Sequence, residues 1–263
     1  MARLNVRRVK RYGWIPDLPD HRDLRYAAPR VPAGLPRKVD LRKAMPPVYD
    51  QGELGSCTAN AIGAAVQFAR RQAKQRPDFV PSRLFVYYNE RTIEGSVGQD
   101  AGASLRDGMK AIAKLGVTSE DQPSKAWNWP YAVDRFAERP PRPAFTFGQD
   151  HQAMVYRRVE QAASQMKGCL AEGFPFVFGF SVYQSFESPV VGRGGVVPMP
   201  GPKEKAVGGH AVLAVGYDDA SQRFIVRNSW GAGWGKGGYC TMPYAYVGDP
   251  DLAADLWTVR VME

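Results

Sequence analysis

Three residues far apart in the chain constrain its fold more than anything else in the sequence. Cys57 closes the stretch Gln51-Gly52-Glu53-Leu54-Gly55-Ser56-Cys57 and opens an alanine-rich run. His210 stands 153 residues later, in Gly208-Gly209-His210-Ala211-Val212, and Asn228 follows in Asn228-Ser229-Trp230-Gly231. A thiol, an imidazole and an amide in that order can act as nucleophile, general base and orienting group. They can do so only if a long loop closes and sets the start of one element against two later ones.

The local patterns around them differ. After Cys57, apolar residues recur at helical spacing (Ala61, Ile62, Ala65, Val66, Ala69), and Arg70, Arg71 and Lys74 suit the C-terminal end of a helix. Ser82 before Leu84-Phe85-Val86 predicts a second helix start, and Ser104 to Leu115 a third, stopped by Gly116. A Pro-rich patch (Pro130, Pro140, Pro141, Pro143) marks a crossing to a second half. There a helix is expected over 155–172. Phe174, Phe176, Phe178 and Phe180 then alternate as a strand, and residues 186–207 read as a loop. Residues 210–217 and 222–229 flank a turn at Asp218-Asp219-Ala220-Ser221, and Gly238 to Met242 reads as another strand. A helical half followed by an antiparallel sheet is an α+β pattern.

Gln51 lies six residues before Cys57, and Trp234 lies four after Trp230. With Gly-Ser-Cys, His-Ala-Val and Asn-Ser-Trp-Gly, these features resemble the papain-like cysteine peptidase family over about residues 44–263. The resemblance implies a two-lobe fold: a helical lobe (44–145) carrying Cys57, a β lobe (146–263) carrying His210 and Asn228, and a cleft between them. It implies hydrolysis of a peptide bond by a Cys57 thiolate paired with a His210 imidazolium, through a thioester. The backbone N–H of Cys57 and the Gln51 amide would hold the oxyanion. Asn228 would orient the imidazole, with Trp230 shielding that bond and Trp234 lining the leaving-group side. Gly102 and Ala103 would pair with substrate backbone, and Ala211 would wall the main specificity pocket. Thr58 stands where a Trp is usual, Gly209 where Asn or Asp is usual, and Ala103 where a second glycine is usual. An acyl transferase and a non-catalytic peptide-binding module are the alternatives.

Composition narrows partners and setting. The net charge is +9, but residues 1–43 carry twelve Lys and Arg against four Asp, so the body is close to neutral. This proline-broken leader, with Trp14, Ile15, Leu18 and Leu24 as possible anchors, is expected to cover the cleft as a built-in inhibitor. A solvated tail and a nucleic-acid arm are the other readings of its charge. The expected partners are therefore a peptide or protein substrate and the chain's own leader. No membrane span is expected, since no apolar run is long enough. No apolar stretch backs the basic Met1 to Arg11, so no secretory signal is expected. The chain is expected to be cytoplasmic, or exported without such a signal. Three widely spaced cysteines form no disulfide framework. Leu54 stands where secreted relatives carry a disulfide-bonded Cys, which also leans towards a reducing compartment. Cys169 and Cys240 read as buried small hydrophobes, and His151 beside Asp150 as a surface residue. No metal or other cofactor is expected, because His and Cys never cluster at ligand spacing.

Overall fold

The computed structural model describes residues 12–28, 34–152 and 154–261. The basic run before Tyr12 lies outside them, and so does the nucleic-acid reading that rested on it. A short strand β1 (Trp14–Ile15) and β2 (Lys38–Asp40) precede helix α1 (Cys57–Gln72). Then come α2 (Arg83–Glu94), β3 (Ala103–Ser104), α3 (Leu105–Leu115) and α4 (Arg142–Gln149). The second half holds β4 (Met154–Arg158), α5 (Ala163–Ala171), β5 (Phe176–Tyr183), α6 (Pro189–Gly194) and β6 (Ala206–Asp218). It ends with β7 (Arg223–Arg227), β8 (Tyr239–Pro243), α7 (Tyr244–Gly248) and β9 (Ala253–Val261). The α+β architecture expected from the sequence is present.

The second half is built on one antiparallel sheet ordered β4-β9-β5-β6-β7-β8, with β2 also paired to β6. Helix α1 lies on this sheet and is buried from Cys57 through Arg70. A helix enclosed on nearly all sides needs apolar or small residues all round. The alanines supply this and let Ile62, Val66 and Phe68 reach a core shared with Val177, Leu213, Val215 and Trp257. A second core on the other face gathers Phe176, Phe178, Phe180, Val212, Trp230 and Trp234. Alternate residues of β5 and β6 serve the two cores, as the two-residue period of a strand requires.

The helix ends follow their capping residues. Ser82 and Ser104 accept the backbone N–H of Phe85 and Asp107, and Gly95 closes α2 at φ 70°. Three expectations need correction. No helix spans 155–172: its first part is β4, paired along its length with β9, and only Ala163–Ala171 is helical. Val155 and Tyr156 suit a strand, and the partner that makes them one lies a hundred residues away. Residues 186–207 are not all loop, because Ser188 caps α6 by accepting from Val191 N, with Pro189 at its first position. The Pro-rich patch contains a helix as well: Pro141 precedes α4, which runs through residues 145 and 146.

Three helices meet at Gly108. A Cβ there would lie 2.3 Å from Ile62 Cδ1 of α1 and 2.4 Å from Glu90 Oε1 of α2. Alanine improves helix propensity by about 1 kcal/mol, whereas overpacking a core costs about 1–3 kcal/mol. Gly108→Ala is therefore expected to lose up to about 2 kcal/mol, read as a lower urea midpoint with an unchanged m value. A higher midpoint would mean that α1 and α2 give way without cost.

Candidate active site

Cys57 is the first residue of α1, where backbone N–H groups lack helical partners. β6 carries His210 and packs against α1, and Asn228 directly follows β7, the neighbour of β6. The chain thus brings the three residues together. The backbone amides of Ala211, the residue after His210, of Gly13 and of Thr58 lie near enough to the Cys57 sulfur to favour its thiolate. His210 Nε2 and Asn228 Oδ1 are 2.8 Å apart, which leaves Nδ1 of the ring with no hydrogen-bond partner. Because an amide oxygen only accepts, Nε2 is the protonated ring nitrogen and Nδ1 has its lone pair free. Trp230 lies over the imidazole at 5.2 Å between centroids, and Trp234 and Phe186 back it at 5.4 and 5.6 Å. Trp234 is buried in the second core.

Gln51 is locked in place from three sides. Its Oε1 accepts from Ser229 Oγ at 2.5 Å, its backbone N–H donates to Ser229 O at 2.8 Å, and its carbonyl accepts from Tyr131. Its Nε2 donates to Leu54 O at 2.8 Å, so one of two amide hydrogens is committed. The loop before Cys57 is fixed by Asp100, which accepts from Gly55 N and from Tyr87 Oη. Tyr87 Oη in turn accepts from Gly102 N at 3.1 Å, which ties the 100–104 segment to the same frame.

The described part of the leader lies on this site. Tyr12 packs edge-on to His210 at 5.9 Å, and its hydroxyl donates to Glu187 at 2.6 Å. Gly13 O accepts from Ala103 N at 2.8 Å, and Trp14-Ile15 pairs in parallel with Ala103-Ser104. The approach is close enough that a Cβ on Gly13 would lie 1.6 Å from Gly55 O, and one on Gly102 2.2 Å from Gly13 O. Gly102 and Ala103, expected to hold a peptide backbone, hold this one. Of the expected apolar anchors only Trp14 is buried, since Ile15, Leu18 and Leu24 are exposed. Tyr26 is also buried, in the second core, and charge and hydrogen bonding hold the rest. Asp17 accepts from Arg106 N at 3.0 Å and Trp257 Nε1 at 2.9 Å, and its own N–H donates to Asp255 at 2.8 Å. Arg106 pairs with Asp23 at 2.6 Å, and Arg158 reaches Asp23 at 3.2 Å and Asp255 at 3.0 Å.

Burial governs the site's protonation. It pushes the Cys57 thiol up to about 12, outweighing the amides that favour a thiolate. It pushes His210 down to about 4, against the bond from Asn228. With the leader in place the pair is a neutral thiol and a neutral imidazole. Behind it, Thr58 donates to Glu90 at 2.8 Å, and burial raises this carboxyl well above its ordinary value. Cys169 and Cys240 are buried free thiols, likewise raised to about 12 by burial. His151 is half-buried and stacks on Phe147 at 4.1 Å within a separate aromatic cluster. Among the described residues no group of three or more His, Cys, Asp or Glu could hold a metal ion, and no helix is long and apolar enough to cross a membrane.

Tyr12, Gly13, Arg106, Arg158, Asp255 and Glu90 escaped the sequence reading. Only Asp255 leaves a signal there, as the one acid within the apolar run Leu252 to Val259.

Comparison with known proteins agrees with this geometry. The family model described as papain family cysteine protease matches residues 35–249. An uncharacterized peptidase C1-like protein of Acanthamoeba polyphaga mimivirus is 40% identical, covering 95% of this chain and 87% of its own length. The crystal structure of xylellain, a cysteine protease from Xylella fastidiosa, superposes with a TM-score of 0.87 at 45% identity, covering 98% of each chain. Digestive procathepsin L 3 of Tenebrio molitor shares the fold, with a TM-score of 0.65 at 20% identity over 91% of this chain and 75% of its own. A sulfur at a helix start, beside the strand that carries a histidine–asparagine pair, is thus set in a fold shared with cysteine proteases, and the chain belongs to the papain family of cysteine proteases.

Proposed function

We propose that this cysteine peptidase cleaves internal peptide bonds through Cys57 and His210, and that residues 12–28 hold it inactive until they lift. The carrying observation is the extended leader backbone itself. It sets the Gly13 amide beside the nucleophilic sulfur and accepts from Ala103 N–H through the Gly13 carbonyl. A groove that fits one peptide this closely is suited to another.

Once the leader lifts, water reaches the site and the burial that disfavours charge is relieved. The Cys57 proton passes to His210, and the helix N-terminus and the Ala211 amide stabilise the thiolate. The sulfur attacks the peptide carbonyl, and the Cys57 N–H with the remaining Gln51 amide hydrogen stabilises the oxyanion. His210 gives its proton to the leaving amine. Water, deprotonated by His210, then hydrolyses the thioester and restores the thiol. Asn228 holds the ring orientation throughout.

The direct test uses the full chain on a fluorogenic peptide. Gly13→Ala places a methyl against Gly55 O and leaves the reacting groups intact, so hydrolysis is expected to rise at least tenfold over the native chain. Adding Cys57→Ala is expected to abolish it. Equal rates for native and Gly13→Ala chains would remove the leader from the account. No hydrolysis by either would favour a peptide-binding module.

The latch adds a pH dependence. Asp17, Asp23 and Asp255 face Arg106 and Arg158, so one carboxylate is in excess. Burial first, and then the charge of Asp255, raise Asp17 from 3.8 to about 6, against the bonds from Arg106 N and Trp257. The docked leader therefore binds a proton more tightly than the free leader does. That contribution is complete below about pH 4 and is lost as pH rises through about 6. Amide hydrogen exchange in residues 12–28, corrected for intrinsic rates, is expected to be more protected at pH 4.5 than at pH 8. Asp17→Asn should flatten that difference, and greater protection at pH 8 would reverse the assignment.

A further inference from the structure

Ser56 stands at the cap position of α1 and does not cap it. A serine there usually accepts a backbone N–H of the first helical turn, but its side chain makes no such bond. The buried hydroxyl instead meets Tyr131 Oη at 2.6 Å.

That contact is one link of a directed chain. Tyr131 Oη donates to Gln51 O at 2.8 Å, which uses its single proton, so Ser56 is the donor between the two hydroxyls. Ser56 Oγ accepts in turn from Asn60 Nδ2 at 3.1 Å, and Asn60 Oδ1 accepts from Arg83 Nη1 at 3.0 Å. Arg83 is fixed by Glu120, through Nη2 at 2.7 Å and Nε at 3.0 Å, and lies over the Tyr131 ring at 3.9 Å. Every link donates towards Gln51, beginning at a guanidinium, and hydrogen bonds aligned in this way strengthen one another. Burial pushes the Tyr131 hydroxyl up to about 12, so it keeps the proton that it shares with Gln51.

The chain grips the two groups assigned to the oxyanion. Arg83 Nη1 also donates to Asp50 O, so the peptide units on both sides of Gln51 Cα are tied down. The Ser56 carbonyl accepts from Asn60 N at 3.0 Å and from Asn60 Nδ2 at 2.9 Å. This carbonyl shares one planar peptide unit with the Cys57 N–H. Two donors on its oxygen fix the plane and draw electron density from the nitrogen, which makes the N–H a stronger donor.

We propose that Tyr131 is a positioning residue for the reaction: through Gln51 and Ser56 it holds both oxyanion donors in place at once. Its bonds run to the loop before Cys57, so its effect falls on the oxygen that gathers charge and not on the thiolate. The proposal rests on the reading of the Gln51 amide and the Cys57 N–H as the oxyanion donors.

The test uses the full chain, with Gly13→Ala as the open parent. Adding Tyr131→Phe is expected to lower kcat on a fluorogenic peptide about tenfold and to leave KM within about twofold. Ser56→Ala keeps the bond from Tyr131 to Gln51 and is expected to cost about threefold. The double variant is expected to lose no more than Tyr131→Phe alone, because the two hydroxyls act in series. Two further readouts separate positioning from folding. In alkylation by iodoacetamide the sulfur bonds to carbon as iodide leaves, and no charge gathers on an oxygen, so the labelling rate is expected to be unchanged. In capture of a peptide aldehyde the sulfur bonds to the carbonyl carbon and the thiol proton ends on the aldehyde oxygen, which lies where the oxyanion would. The inhibition constant is expected to rise about tenfold in Tyr131→Phe.

Equal kcat and equal aldehyde capture in parent and variant would overturn the proposal. So would alkylation that slows as much as hydrolysis, which would make Tyr131 a part of the fold alone. If Tyr131→Phe does not fold, Ser56→Ala carries the same comparison, and an unchanged kcat there overturns the proposal. A parent that captures aldehyde without cleaving peptide would overturn the peptidase reading, and the ratio of capture to alkylation would still decide the role of Tyr131. A parent that does neither would overturn the oxyanion reading and the proposal together.

Discussion

The seat of α1 on the sheet governs the rest of the molecule. It sets Cys57 at the only kind of helix position that presents unpaired N–H groups, and it does so opposite β6, the strand that carries His210. The seat depends on small residues: from Ala59 to Ala69 the helix offers mostly methyl groups to its neighbours, so sheet and helices close on it from several sides. Two effects then act on the sulfur in opposite directions. The helix end and the neighbouring amides favour the anion by about 1 kcal/mol or so each, whereas complete exclusion of water disfavours it more strongly. With the leader docked, exclusion wins, and both partners stay uncharged. On the proposed reading, a site built this way is latent because it is dry, with no displacement of its reacting groups.

The leader is suited to reversible cover. Apart from Trp14, its large apolar side chains Ile15, Leu18 and Leu24 point to solvent. Its attachment is a short parallel pairing, the buried rings of Trp14 and Tyr26, backbone bonds joining Leu24 and Tyr26 to Arg158, and a cluster of carboxylates and guanidiniums. Arg106 and Asp23 are both nearly buried and meet through two hydrogen bonds, so this pair resists salt better than a surface pair would. The close approaches at Gly13 and Gly102 add shape selection, since the two backbones fit only without side chains.

Much of this was legible in the residues because it is written in local chemistry. Cys57, His210, Asn228 and Gln51 sit in motifs whose neighbours also carry information, and Ser82, Ser104 and Gly116 mark helix ends through their own side chains or their lack of one. What escaped was set by distant partners. Val155 to Arg158 form a strand because β9 lies beside them. The Glu90 carboxyl is raised well above its ordinary value because burial among the helices excludes water from it. The grip on the leader divides between Asp17 and Asp23 at one end of the chain and Arg106, Arg158 and Asp255 far from it, and no spacing rule joins them. Ile15, Leu18 and Leu24 misled because an apolar residue in an extended segment says nothing about which side faces the body.

The strand β2 gives the arrangement its logic in time. Lys38 to Asp40 are woven into the sheet beside β6, with Lys38 paired to Asp218 at 2.7 Å and Leu41 N bound to Val215 O. A displaced leader therefore stays leashed to the body and returns at an effective concentration on the order of millimolar, whatever the concentration of enzyme. On the proposed reading, dilution cannot wake such a molecule, and only a break in the chain between the two attachments turns the leader into a separate ligand that drifts away; the lasting switch is then a covalent cut and opening alone is a passing breath.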